Sequence, residues 1–216
     1  MANKNIKKAP TVDELNNKVI DKLKTLQGKR NEYAGYIEGD DIHQAIIGMP
    51  RSVDPDIFPK DPKHKTEFHT HPSVTLEKGK NQSDEDFACE NEMYKIRENM
   101  LSDADVAESL ILRYPQNMNN LMVSSIAITQ YRVTDEIKFK KFKKQVLKEY
   151  GDYSERNILI SVNRELMKIY YKEHTKMYDE KQKFNSCADK EIWENISRQW
   201  NEFVKNIGME LKVRKI

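Results

Sequence analysis

The stretch "LMVSSIAITQYRV", residues 121–133, constrains this chain most. Its core, Met122 to Ile128, is apolar enough to be buried on both faces, so it reads as a single strand well inside a sheet. Such a strand needs elements packed over both sides. The flanking sequence offers them. Leu15, Val19, Leu23 and Leu26 recur at helical spacing between Val12 and Leu26, with Thr11 or Asp13 as the cap and Gly28 as the stop. Tyr33 to Ile37 and Ile42 to Met49 read as two strands around a Gly39-Asp40-Asp41 turn. "KTEFHTH" is a further strand, which Pro72 ends. Between the last two lies a loop with four prolines, residues 50–62.

Residues 73–101 are highly charged and carry only a weak apolar stripe. "LSDADVAESLILRY" is a better helix, with Ser102 as its cap. From Asp135 the pattern is helical to the end. Ile137, Phe142, Val146 and Tyr150 mark one helix, Leu159 to Tyr170 a second, and Trp193, Ile196, Trp200, Phe203 and Ile207 a third. The charge balance shifts at the same place. Residues 1–134 hold 18 Lys/Arg and 21 Asp/Glu, and residues 135–216 hold 19 and 14.

The net charge is only +2, so nothing global points to nucleic acid or to a membrane surface. The lysine run 138–148, with Phe139 and Phe142 interleaved, reads as a solvated helix face with the aromatics packed inward. Trp193 and Trp200 read as core or as a helix–helix contact. Cys89 and Cys187 are far apart and lack metal-ligand spacing, so neither a disulfide nor a cysteine zinc site is expected. No apolar run approaches a membrane span, and "MANKNIKKAP" lacks the apolar core of a signal peptide. A cytoplasmic protein is the expectation.

His69 and His71 carry the chemistry. On a strand, residues i and i+2 face the same way, so the two imidazoles can converge on one ion. Zinc takes nitrogen and oxygen ligands in a tetrahedron, and a catalytic zinc keeps one position open. A third protein ligand is required. His43, His64 and His174 have no evident pairing with this strand, so a carboxylate at a helix start is the better candidate. Glu67 shares the strand face and reads as a surface charge rather than a partner of His69.

Taken together, "EYAGYIEG", "FHTHP" and a later Ser-x-x-Asp resemble the JAMM (JAB/MPN) metalloprotease signature. The resemblance spans roughly residues 11–130. It implies a JAB/MPN-like α/β fold, a mixed sheet flanked by helices, over residues 1–134, followed by an all-helical extension over 135–216. It implies zinc held by His69, His71 and an aspartate. Two Ser-x-x-Asp pairs compete. Ser83 and Asp86 lie closer to the histidines. Ser102 and Asp105 precede the well-patterned helix that leads into the buried strand, and they are preferred, which makes residues 73–101 an insertion.

The resemblance also implies roles. Glu32 serves as general base and returns the proton to the leaving amine. Glu38 is its rival, but it falls after the first glycine of the motif. Ser102 donates to the oxyanion. The implied substrate is a ubiquitin-like protein or its conjugate, cut at a peptide or isopeptide bond. The helical extension offers a surface for a protein partner. The alternative is a JAMM-fold scaffold without activity. A His-x-His phosphoesterase is weaker, because such sites use more histidines than this chain aligns.

Overall fold

The computed structural model describes residues 9–48, 66–73, 75–113, 119–179 and 186–216. The proline-rich loop 50–62 and His64 lie outside the described residues. The chain is mixed α/β. It divides into two compact units, one of Met1–Ser73, Leu112–Thr134 and Glu210–Ile216, the other of Val74–Ile111 and Asp135–Met209. Neither unit is continuous in sequence. The break after Thr134 coincides with the shift in charge balance, but residues 74–111 group with the C-terminal helices.

The first unit is built on a six-stranded sheet of order β2-β1-β3-β4-β5-β6. The strands are β1 (Tyr33–Glu38), β2 (Asp41–Ile47), β3 (Thr66–Thr70), β4 (Asn119–Val123), β5 (Ala127–Val133) and β6 (Met209–Lys215). β1 pairs antiparallel with both β2 and β3, β3 runs parallel to β4, and β4 is antiparallel to β5. Gly39, at φ 63°, makes the expected β1–β2 turn.

One face of this sheet carries Ile37, Phe68, Leu121, Val123 and Ile128. Helix α1 (Asn17–Gln27) lays Val19, Ile20 and Leu23 on it. Phe68 and Leu23 are essentially inaccessible to solvent, so truncating either to alanine costs about 2–5 kcal/mol. The predicted helix from Val12 is in fact two pieces. Val12–Glu14 is a 3-10 turn, and α1 begins after Asn16, whose side chain accepts the Val19 N–H at 2.9 Å. Thr11 caps the 3-10 turn, its N–H donating to the Glu14 carboxylate at 2.7 Å, and Asn16 rather than Asp13 caps α1.

Residues 121–133 are not one strand but the β4–β5 hairpin. The Ser124-Ser125 pair, read as strand interior, makes the turn. Ser124 Oγ accepts from the backbone N–H of Ala127 at 3.1 Å and donates to the Ala127 carbonyl at 3.0 Å. Serine hydroxyls bond their neighbours' backbone in this way and so compete with a continuing ladder. Both strands are buried along almost their whole length, as expected of the stretch.

The second unit holds α2 (Asp84–Glu98), α3 (Asp103–Glu108) with a π turn over Ser109–Arg113, α4 (Glu136–Tyr150), α5 (Glu155–Asp179) and α6 (Ser186–Asn206). α2 packs along α6. A disulfide between Cys89 and Cys187 joins them, with Cα atoms 4.9 Å apart, and this overturns the expectation of unpaired cysteines. Sequence separation gave no hint of it, because tertiary packing alone brings the two helices together. Lys190 reaches Glu92 at 2.6 Å, and the Arg97 guanidinium lies 4.7 Å from the Trp193 ring. Trp200 is fully buried and donates its indole N–H to the Leu101 carbonyl at 2.9 Å.

On α4, Phe139 and Phe142 are buried and the six lysines of residues 138–148 are exposed. Ile137, assigned above to the apolar face, is 83% exposed, and Phe139 takes the inward position instead. The C-terminus departs from the all-helical expectation. Gly208, at φ 99°, stops the chain after α6, and Met209–Lys215 returns as the edge strand β6. Apolar Met209, Leu211 and Val213 alternate with charged residues, a period-2 pattern that reading the α6 stripe onward obscured.

Candidate metal centre

The site starts on β3. Its residues alternate strictly, so Phe68 points into the α1 side and His69 to the other. His71 lies just past the strand. Its N–H donates to the Val123 carbonyl at 2.8 Å, which extends the parallel ladder that pairs His69 with Met122 and Thr70 with Val123. Strand alternation therefore holds through His71, and both imidazoles share one face. Pro72 follows and has no N–H to continue the ladder.

The two Nε2 atoms are 3.2 Å apart. Two nitrogens on one tetrahedral zinc, each about 2.0–2.1 Å from it, are separated by about 3.3 Å. Both rings are half-buried, and the Tyr131 ring meets His69 edge-on at 6.3 Å. Gln27, the last residue of α1, is buried and holds the end of the strand. Its Nε2 donates to the His71 carbonyl at 3.0 Å and to Ser73 Oγ at 2.5 Å. Sequence reading missed Gln27, although a signal existed. It continues the four-residue stripe Leu15, Val19, Leu23, where an apolar side chain is due.

Glu32 precedes β1. The β1–β3 register pairs Ala34 with His69. The paired register ends there, with the Tyr33 N–H donating to Thr70 Oγ1 at 2.9 Å, and Glu32 stands two residues before Ala34. The Glu32 carbonyl accepts from the Gly48 N–H at 2.8 Å, which fixes the backbone there. Glu38 sits at the other end of β1, paired with Asp41 beside the turn. At ~3.3 Å per residue it is about 20 Å along the strand from Glu32.

Glu67 was expected at the surface, but it is 5% exposed. It shares the face of His69 and stands opposite Tyr36 on β1 and Asn120 on β4. β3 is flanked by β1 and β4 in the interior of the sheet, away from its solvent-facing edges.

Asp105 lies in the first turn of α3. Ser102 Oγ accepts its N–H at 3.0 Å, and its Oδ2 accepts the Ser102 N–H at 2.8 Å. This reciprocal capping box fixes both residues. Ser83 and Asp86 cap α2 in a related manner, with Ser83 Oγ accepting the Asp86 N–H at 3.0 Å. Both pairs are thus helix caps, and both lie in the second unit, whereas His69 and His71 lie in the first. Two half-buried imidazoles on one strand face suit a borderline ion, which takes at least one further protein ligand.

No helix among the described residues is long and apolar enough to cross a membrane. Comparison with known proteins finds no match for the chain, whether among family models, curated proteins or solved structures.

Proposed function

We propose that this protein is a zinc-dependent metallopeptidase of the JAMM type, hydrolysing peptide or isopeptide bonds in a ubiquitin-like protein or its conjugates. The observation that carries the reading is the His69–His71 pair on one strand face, with Nε2 atoms 3.2 Å apart. The element order supports it, since α1, β1, β2, β3, α3 and β4 follow the succession that the motif resemblance implies.

In this reading His69, His71 and Asp105 hold the ion. Zinc supplies Lewis acidity and lowers the pKa of a coordinated water to about 7. Glu32, two residues before the Ala34 that pairs with His69, takes a proton from the attacking water and passes it to the leaving amine. Ser102 Oγ accepts the Asp105 N–H in the helix cap and has its O–H to donate to a developing oxyanion. Gln27 holds the His71 backbone so that the imidazole stays aimed.

The test is metal content followed by turnover. Purified protein is expected to carry about one zinc per chain, and a fluorogenic ubiquitin-like conjugate to be cleaved until a chelator is added. Glu32→Gln is expected to keep the zinc and lose cleavage. A folded, metal-free protein would sink the reading. Bound zinc without hydrolysis of any conjugate would favour the inactive scaffold. Location is a separate matter. Disulfides persist in oxidising compartments, so Cys89–Cys187 pulls against the cytoplasmic expectation. A free-thiol count on protein taken from its native source decides between them.

A further inference from the structure

We infer that the second unit binds a small amphipathic anion, a short apolar body with one anionic head, in a cavity among α4, α5 and α6. This inference stands apart from the metal centre. The cavity measures about 290 Å³. Its floor is apolar, formed by Phe142 and Val146 from α4 and by Phe203 and Ile207 from the end of α6. Its polar groups are unevenly charged. Lys138, Lys141 and Arg164 line it, against one carboxylate, Glu165.

That carboxylate is already engaged, since Lys168 holds it at 2.7 Å. Lys138 faces Asp135 at 3.8 Å, and the Arg164 guanidinium grips Glu149. Lys141 is the cation left to a ligand among the described residues. Ser161 is 3% exposed and lines the cavity, yet its Oγ has no hydrogen-bond partner, and the buried Nε of Arg164 has none either, its ion-pair contact with Glu165 lying at 3.9 Å, beyond hydrogen-bond distance. Buried polar atoms are normally satisfied, so a hydroxyl and an N–H left open beside a void mark places where a bound group makes the missing bonds. Both can donate, which selects an acceptor-rich head. The apolar floor selects the body, and the positive wall rejects a cationic head.

The experiment uses the full chain, labelled with nitrogen-15 and titrated with octanoate, octyl phosphate and octylamine. Octanoate or octyl phosphate is expected to saturate below ~10 mM, a weak-ligand range, with shifts confined to residues 138–146, 161–165 and 203–207. The tighter of the two identifies the head group. Octylamine is expected not to bind. Lys141→Glu, at an exposed position, is expected to weaken binding about tenfold or more. Ser161→Leu, which fills the cavity, is expected to abolish it. The inference fails if neither anion saturates, if octylamine binds equally well, or if Lys141→Glu leaves binding unchanged.

Discussion

The Nε2 atoms of His69 and His71 sit at the spacing of two ligands on one ion, so each histidine is expected to be indispensable for metal. His69→Ala or His71→Ala should reduce zinc from about one per chain to background by elemental analysis, because two protein ligands rarely hold zinc at micromolar concentration. Gln27→Ala should leave the ligands in place yet lower zinc affinity by roughly tenfold, measured by competition with a chelating dye. A second residue-scale test concerns pH. Burial works against ionisation of Glu173, but hydrogen bonds from Gln199 and Lys176 and the charges of Lys176 and Lys172 outweigh it and hold the carboxyl below its ordinary value. A depressed folded-state pKa gives stability that is present above the unfolded value and lost as pH falls through the folded one. The stability gap between wild type and Glu173→Gln, from urea unfolding, should therefore shrink between pH 7 and about pH 3. The histidine pair and the Ser-x-x-Asp pairs were legible because they are short-range patterns. Gln27 and the burial of Glu67 were not, because each depends on what a distant element places beside it.

At the scale of elements, local chemistry was read well where one residue decides the outcome. Ser102 caps α3, Gly39 turns β1 into β2, and Gly28 follows the end of α1. It was read poorly where two patterns overlap. The β4–β5 hairpin looked like one long strand because both halves are buried and only two serines separate them. β6 was hidden behind the α6 stripe. Gly208 is the residue that separates α6 from β6. Its φ of 99° suits glycine alone, its carbonyl accepts the Asp135 N–H at 3.0 Å, and a Cβ there would run into the Asp135 carbonyl oxygen and the Phe139 N–H. Gly208→Ala should cost at least ~2 kcal/mol, from the left-handed backbone and the close approach together, visible as a lower urea midpoint with an unchanged slope.

For the molecule as a whole, the second unit is assembled from two separated pieces of chain, 74–111 and 135–209. Cys89–Cys187 joins the pieces across a sequence separation of 98. Closing so long a loop removes much of the unfolded chain's freedom, so the Cys89→Ser, Cys187→Ser double variant should lose about 2–4 kcal/mol of stability in non-reducing denaturation. The reduced wild type should match the variant.

The sequence by itself determined strands β1 to β3, most of the helices, the Ser102 cap, the histidine pair, and the shift in character at residue 134. These follow from side-chain periodicity and from hydrogen bonds within a few residues, which a chain carries wherever it goes. Only the tertiary structure decided which helices share a unit, that the two cysteines meet, and that Glu67 is buried. Those outcomes rest on contacts between segments tens of residues apart.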